Sequence, residues 1–123
     1  MKLREAIERI DSLKHNVFTQ GEKVAWINQL DCMIKAQIID THEGGEDVLF
    51  SPYDERDDMG ADLLVPAPFD SVYVHWLEAQ IDYYNGEISR YNNSMAMFNE
   101  EYAAYQRYYN RNHMPKSRGF KFF

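Results

Sequence analysis

Four histidines, one cysteine and twenty acidic residues are the groups of this chain with the chemistry to serve as ligands, nucleophiles or acid–base catalysts. His15, His42, His75 and His113 are scattered, and none is expected to form a helical metal pair with another ligand type three or four residues away. His42-Glu43 begins like the helix of a zinc protease, but Gly44-Gly45 follows and breaks the helix that motif requires. Cys32 lies within the most apolar stretch of the chain, where a thiol is expected to be an inert core group. The run Asp54 to Gly60 has the acidity of a calcium loop but not its order. With Asp54 first, Arg56 takes the third position, Met59 replaces the turn glycine, and the twelfth position is Val65. Gly44-Gly45 is a turn, not a phosphate cradle. No nucleophile, acid–base pair, cofactor site or metal site is therefore expected, and the chain reads as an assembly component, not an enzyme.

The positive signal is a stripe. Ile88, Tyr91, Met95, Phe98, Tyr102, Tyr105 and Tyr109 follow one another at three- and four-residue steps, which makes them one face of a long helix. Most are aromatic with a polar tip, so the face can pack on partner helices while its edges stay wet. Tyr91, Met95, Phe98, Tyr102, Tyr105 and Tyr109 are accordingly the expected subunit-packing residues. With only Arg90, Arg107 and Arg111 along the helix, the tyrosines are spaced as packing residues and not as a base-stacking platform.

Three further helices are expected. Leu3, Ile7, Ile10 and Leu13 fall on one side of a short amphipathic helix. Thr19 and Glu22 have capping-box spacing and predict the start of a second helix, apolar on nearly every side to about Ile39. Asp70 as N-cap, with Phe69 and Val74 as a hydrophobic staple, opens a third helix over residues 71–84. Asn85-Gly86 then supplies a left-handed stop, which makes the third and fourth helices an antiparallel hairpin; one continuous bent helix is the alternative. Pro115 prevents the fourth helix from continuing beyond residues 110–112.

Between the second and third helices lies an acidic excursion over residues 40–66, in which Val48-Leu49-Phe50 and Leu63-Leu64-Val65 suggest a small β-hairpin or an extended arm, with plain loop as the alternative. The expected fold is all-α. It is a small four-helix bundle over residues 1–112, carrying that insertion and followed by an extended C-terminal tail at 113–123.

At 123 residues the chain fits one domain, and its net charge of −7 argues against general phosphate binding. The charge is unevenly placed. Arg107, Arg111, Lys116, Arg118 and Lys121 make the end of the chain basic, with no acid after Glu101, while the rest is strongly acidic. A basic end of this kind is commonly a solvated segment, but Phe120, Phe122 and Phe123 within it call for a covering partner. A single cysteine, no charged leader and no long apolar run predict an intracellular protein without a membrane span.

Leu63-Leu-Val-Pro-Ala-Pro-Phe-Asp-Ser-Val-Tyr73, Tyr91-Asn-Asn-Ser-Met95 with Phe98-Asn99, and Tyr108-Tyr-Asn-Arg-Asn-His-Met-Pro115 together resemble the head–tail connector (adaptor or neck) proteins of tailed phages and prophages of Gram-positive bacteria. The resemblance covers about the second half of the chain. It implies helical bodies side by side in a ring, dodecameric in the virion neck and assembled in the bacterial cytoplasm, with an arm and a C-terminal tail. The implied partners are the portal protein above, a head-completion or tail protein below, and DNA as transient cargo of the lumen. It also implies that the C-terminal segment docks on the portal; Pro115, Gly119, the net positive charge and three phenylalanines predict that His113 to Phe123 are mobile when free and order on the portal, with Arg118, Phe120, Lys121, Phe122 and Phe123 as the docking residues. The competing reading is an acidic regulatory binder, a DNA mimic that occupies a nucleic-acid-binding enzyme.

Overall fold

The structure, a computed structural model, describes residues 1–116. Its elements are α1 (Leu3–Leu13), α2 (Gln20–Ile34) continued by a π-helical turn (Lys35–Ile39), a single 3-10 turn (Gly45–Asp47), α3 (Ser71–Tyr84) and α4 (Ile88–Asn112). The protein is all-α, with no β-strand among the described residues.

Local rules account for the helix ends. The Thr19 hydroxyl accepts from the Glu22 backbone N–H at 3.1 Å, and the Glu22 carboxylate accepts from the Thr19 N–H at 2.9 Å. These bonds hold the Glu22 carboxyl below its ordinary range. Gly86 takes φ +74°, the left-handed conformation that closes α3. The Glu87 N–H then reaches the Asp82 carbonyl at 2.9 Å, and the chain reverses directly into α4. Asp70 departs from expectation. Its side chain does not cap α3 and lies 3.5 Å from the Met1 amino group instead. Phe69 packs on Tyr105 and Tyr108 of α4, with ring centroids 5.9 and 4.9 Å away.

The helices do not form a square bundle. α3 is the hub, touching α1, α2 and α4, whereas α4 rests on α3 and on the π-turn that extends α2. The core runs through Leu3, Ile10, Ile27, Leu30, Tyr73, Leu77 and Ile81. Leu13 lies outside it, 64% exposed. The wider turn at Lys35–Ile39, where the Asp40 N–H bonds to the Lys35 carbonyl at 2.8 Å, brings the consecutive residues Ile38 and Ile39 both into the core.

The insertion is neither hairpin nor arm. It is an irregular strap that lies back on the body, because both of its polar ends and its second apolar run find partners there. Asn28 of α2 clasps the Tyr53 backbone with two hydrogen bonds of 2.7 and 3.0 Å. Asp31, one turn on and fully buried, accepts from the hydroxyls of Tyr53 (2.6 Å) and Tyr73 (2.7 Å) and from the Leu64 N–H at 3.3 Å. Leu63 and Val65 are buried, and the Met59 and Ala61 carbonyls accept the first N–H groups of α1. Gly45 marks the start of the strap. A Cβ there would stand 2.3 Å from the Ile39 carbonyl oxygen and 3.0 Å from the Asp40 Cα, both backbone atoms that cannot swing aside. Gly45→Ala is therefore expected to destabilise the protein by about 1–3 kcal/mol through forced backbone displacement. A urea midpoint equal to wild type would show that this junction yields freely.

Candidate functional site

The aromatic stripe of α4 is turned mainly toward its own chain. Phe98, Tyr105 and Tyr109 are buried, 3–6% exposed. Phe98 lies between Trp76 of α3 (5.0 Å) and Tyr102 (5.5 Å), and Tyr109 stands edge-on to His42 at 4.9 Å. The assignment of these three residues to subunit packing is thus corrected. They are core residues, and the reason is that the short hairpin turn lays α3 directly on the apolar face of α4. Tyr91, Met95 and Tyr102 are half-buried and keep an edge at the surface. Tyr102 donates its hydroxyl proton to Gln37 of the π-turn at 2.8 Å. Burial pushes the Tyr102, Tyr105 and Tyr109 hydroxyls above the ordinary tyrosine range, so all three remain uncharged donors at neutral pH.

Two unlike helical surfaces remain open. One is the outer side of α4, where Met97 is 54% and Tyr108 36% exposed. The other is a groove of about 570 Å³ between α1 and α3, lined by Arg9, Ser12, Leu13, Ser71, Val74 and His75. Arg9, Ser12, Ser71 and His75 border an apolar floor of Leu13 and Val74. His75 Nδ1 lies 3.2 Å from the Glu78 carboxylate, a spacing of three residues along one helix that was open to view in the sequence.

The acids of the strap are partly paired. Lys2 meets Asp62 at 3.3 Å, Lys116 meets Glu46 at 3.7 Å, Lys35 pairs with Asp40, and the Asp58 carboxylate accepts the Asp54 N–H at 2.7 Å. Asp54, Glu55 and Asp57 stay exposed. The segment that follows α4 is tied to the foot of this strap. The Glu43 N–H bonds to the Met114 carbonyl at 2.7 Å, and the Lys116 N–H to the Thr41 carbonyl at 2.9 Å. Residues 113–116 therefore belong with the helical body. Arg118, Phe120, Lys121, Phe122 and Phe123 lie outside the described residues.

The remaining reactive groups are occupied or isolated. His42, 5% exposed, has Nδ1 2.6 Å from the Ile38 carbonyl and Nε2 2.7 Å from Asn110 Oδ1, so it joins the end of α2 to the end of α4. Cys32 is exposed, contrary to the expectation of a core thiol. Ile27, Leu30, Asp31 and Ile34 take the inward face of α2, and Cys32 sits about 100° of helix rotation beyond Asp31. Asp31 was missed at the level of sequence; the available signal was a lone acid inside an apolar helix in a chain rich in tyrosine. Among the described residues no three His, Cys, Asp or Glu side chains converge as metal ligands, and no helix is long and apolar enough to cross a membrane. Compared with known proteins, the chain matches no family model, no curated protein and no solved structure.

Proposed function

We propose that the protein is a structural virion component, a head–tail connector that forms a ring beneath the portal and joins capsid to tail around a DNA passage. The observation that carries this reading is a pair of unlike open surfaces: the side of α4 that carries Met97 and Tyr108, away from its buried stripe, and the groove between α1 and α3. A closed ring needs a heterologous interface, one surface meeting a different one on the next copy, and two unlike open surfaces on one body are what such an interface requires. Exposed acids of the strap, Asp54, Glu55 and Asp57, would repel phosphate from a lumen wall. The basic, phenylalanine-rich end of the chain is the segment suited to dock on the portal.

The acidic-mimic reading is weaker, because Asp40, Glu46, Asp58 and Asp62 are engaged within the chain and do not form a phosphate-like row.

The test is electron microscopy of the purified protein incubated with isolated portal rings from the same genome. An added ring layer on the portal is expected, and a chain cut after Lys116 should keep its helical circular dichroism while failing to add that layer. A full-length protein that leaves portal rings bare would remove the connector reading. A truncated one that binds normally would remove the tail-docking step alone.

A further inference from the structure

The turn end of the α3–α4 hairpin carries a surface that the connector reading does not use. Rings from four elements touch one another there. Phe18, in the loop before α2, meets Trp26 of α2 edge-on at 5.2 Å, and Trp26 stacks on Tyr84 at the end of α3 with centroids 5.6 Å apart. Tyr84 meets Tyr83 at 5.1 Å, and Tyr83 meets Tyr91 of α4 at 5.5 Å. Trp26 is buried and forms the floor, whereas Tyr83 and Tyr84 are each more than half exposed. Ile88, three residues before Tyr91 and so its neighbour on the α4 surface, is also more than half exposed.

Charge is balanced at this end of a chain whose net charge is −7. Residues 14–26 and 82–91, the stretches that supply the rings, hold three bases and three acids, and each of the six has a partner within the chain. Lys14 pairs with Asp82, Lys23 with Asp11 at 2.6 Å and Arg90 with Glu87 at 3.0 Å, while Glu22 closes the capping box with Thr19. A strongly charged partner, nucleic acid included, finds no complementary charge here. A second copy of the chain suits the surface better. Repulsion between two acidic bodies is least where charge is balanced, and tyrosine rings pack on one another in offset or edge-on pairs with their hydroxyls left at the rim. Tyr83, Tyr84 and Ile88 leave about 350 Å² in water, the size of patch that marks an interaction site on a monomer. Two such patches with their rims remove about 1,000 Å² on pairing, enough for a reversible dimer and too little for a permanent one. We propose that two copies pair about a two-fold axis at this aromatic end, with Tyr83, Tyr84 and Ile88 of one copy against the same residues of the other. The pairing uses neither Met97 and Tyr108 nor the groove between α1 and α3, so it stands apart from the connector reading.

Sedimentation equilibrium of the full-length protein alone, from about 10 μM to 1 mM, is the test, because that is the range in which a weak pair forms. The mass is expected to rise with concentration toward twice that of one chain, and the NMR amide signals of residues 83–91 should shift over the same range. Tyr83→Glu and Tyr84→Glu set like charges face to face across the two-fold axis, and each should weaken pairing by roughly tenfold or more. Tyr84 also stacks on Trp26, so Tyr83→Glu, checked for its helical circular dichroism, decides the matter if Tyr84→Glu does not fold. Met97→Asp should pair as wild type does. A protein that stays monomeric throughout the range overturns the proposal. Pairing that persists in Tyr83→Glu, or that is lost in Met97→Asp, overturns the aromatic end as its site. A mass that climbs past two chains without levelling overturns the closed two-fold arrangement.

Discussion

Phe98→Asp is expected to yield no stably folded protein, whereas Met97→Asp, one residue earlier, should fold normally and fail to form rings on portal. Phe98 is 4% exposed and wedged between Trp76 and Tyr102. Replacing it removes the ring from the α3–α4 seam and leaves a carboxylate with no cation beside it. Truncating a buried phenylalanine costs about 3–5 kcal/mol, and burial of an unpaired acid adds to that, a total comparable with the whole stability of a small domain. Met97 is 54% exposed on the outer side of α4, where a substitution changes stability by about 0.5 kcal/mol or less. Circular dichroism with urea titration measures the first effect, and ring formation on isolated portal the second. Equal stability of Phe98→Asp and wild type would mean that α4 does not pack on α3 as described. Normal ring formation by Met97→Asp would take the outer side of α4 out of the proposed interface.

The second large effect lies at Asp31. Its carboxylate accepts three hydrogen bonds, from Tyr53, Tyr73 and the Leu64 N–H, and so ties α2, the strap and α3 together. It has no salt-bridge partner among the described residues. Asp31→Ala strands three donors and is expected to destabilise the protein by about 2–4 kcal/mol, the relief of a buried acid offsetting part of the loss. Asp31→Asn should have a smaller effect, since the amide retains an acceptor but turns an NH2 toward one of the donors.

The pH dependence separates these two contributions. Burial raises the Asp31 carboxyl above its ordinary value of 3.8, and the hydrogen bonds from Tyr53 and Tyr73 only partly reverse that shift. The folded state therefore holds the Asp31 proton to higher pH than the unfolded chain does. The stability linked to that proton is fully present below the unfolded value and is lost as pH rises through the folded one. Wild type should thus lead Asp31→Asn most strongly in acid, and the gap should narrow as pH rises above 4. Paired urea titrations across that range measure the gap, in which the contributions of the other acids cancel. A gap that widens with pH would show that the hydrogen bonds outweigh burial and hold the carboxyl low.

The sequence by itself determined the helices, because their ends obey short-range rules. Thr19 and Glu22 cap α2 as their spacing requires, α3 spans Ser71–Tyr84, Gly86 closes it at positive φ, and α4 ends at Asn112 before Pro115. The same rules identified the stripe of α4 but could not say what covers it. Helical periodicity reports which face is apolar, not whether the partner is a neighbouring subunit or the preceding helix of the same chain. Only the tertiary structure decided that Phe98, Tyr105 and Tyr109 are interior, since that outcome depends on the angle at which the Asn85-Gly86 turn returns the chain. It also reversed the environments of Asp31 and Cys32, adjacent on α2, because one residue of helix rotation separates a core face from a solvent face. The strap was illegible for a related reason. Its conformation is held by Asn28 and Asp31, residues far from it in sequence, and no local pattern within residues 40–66 records partners contributed by another helix.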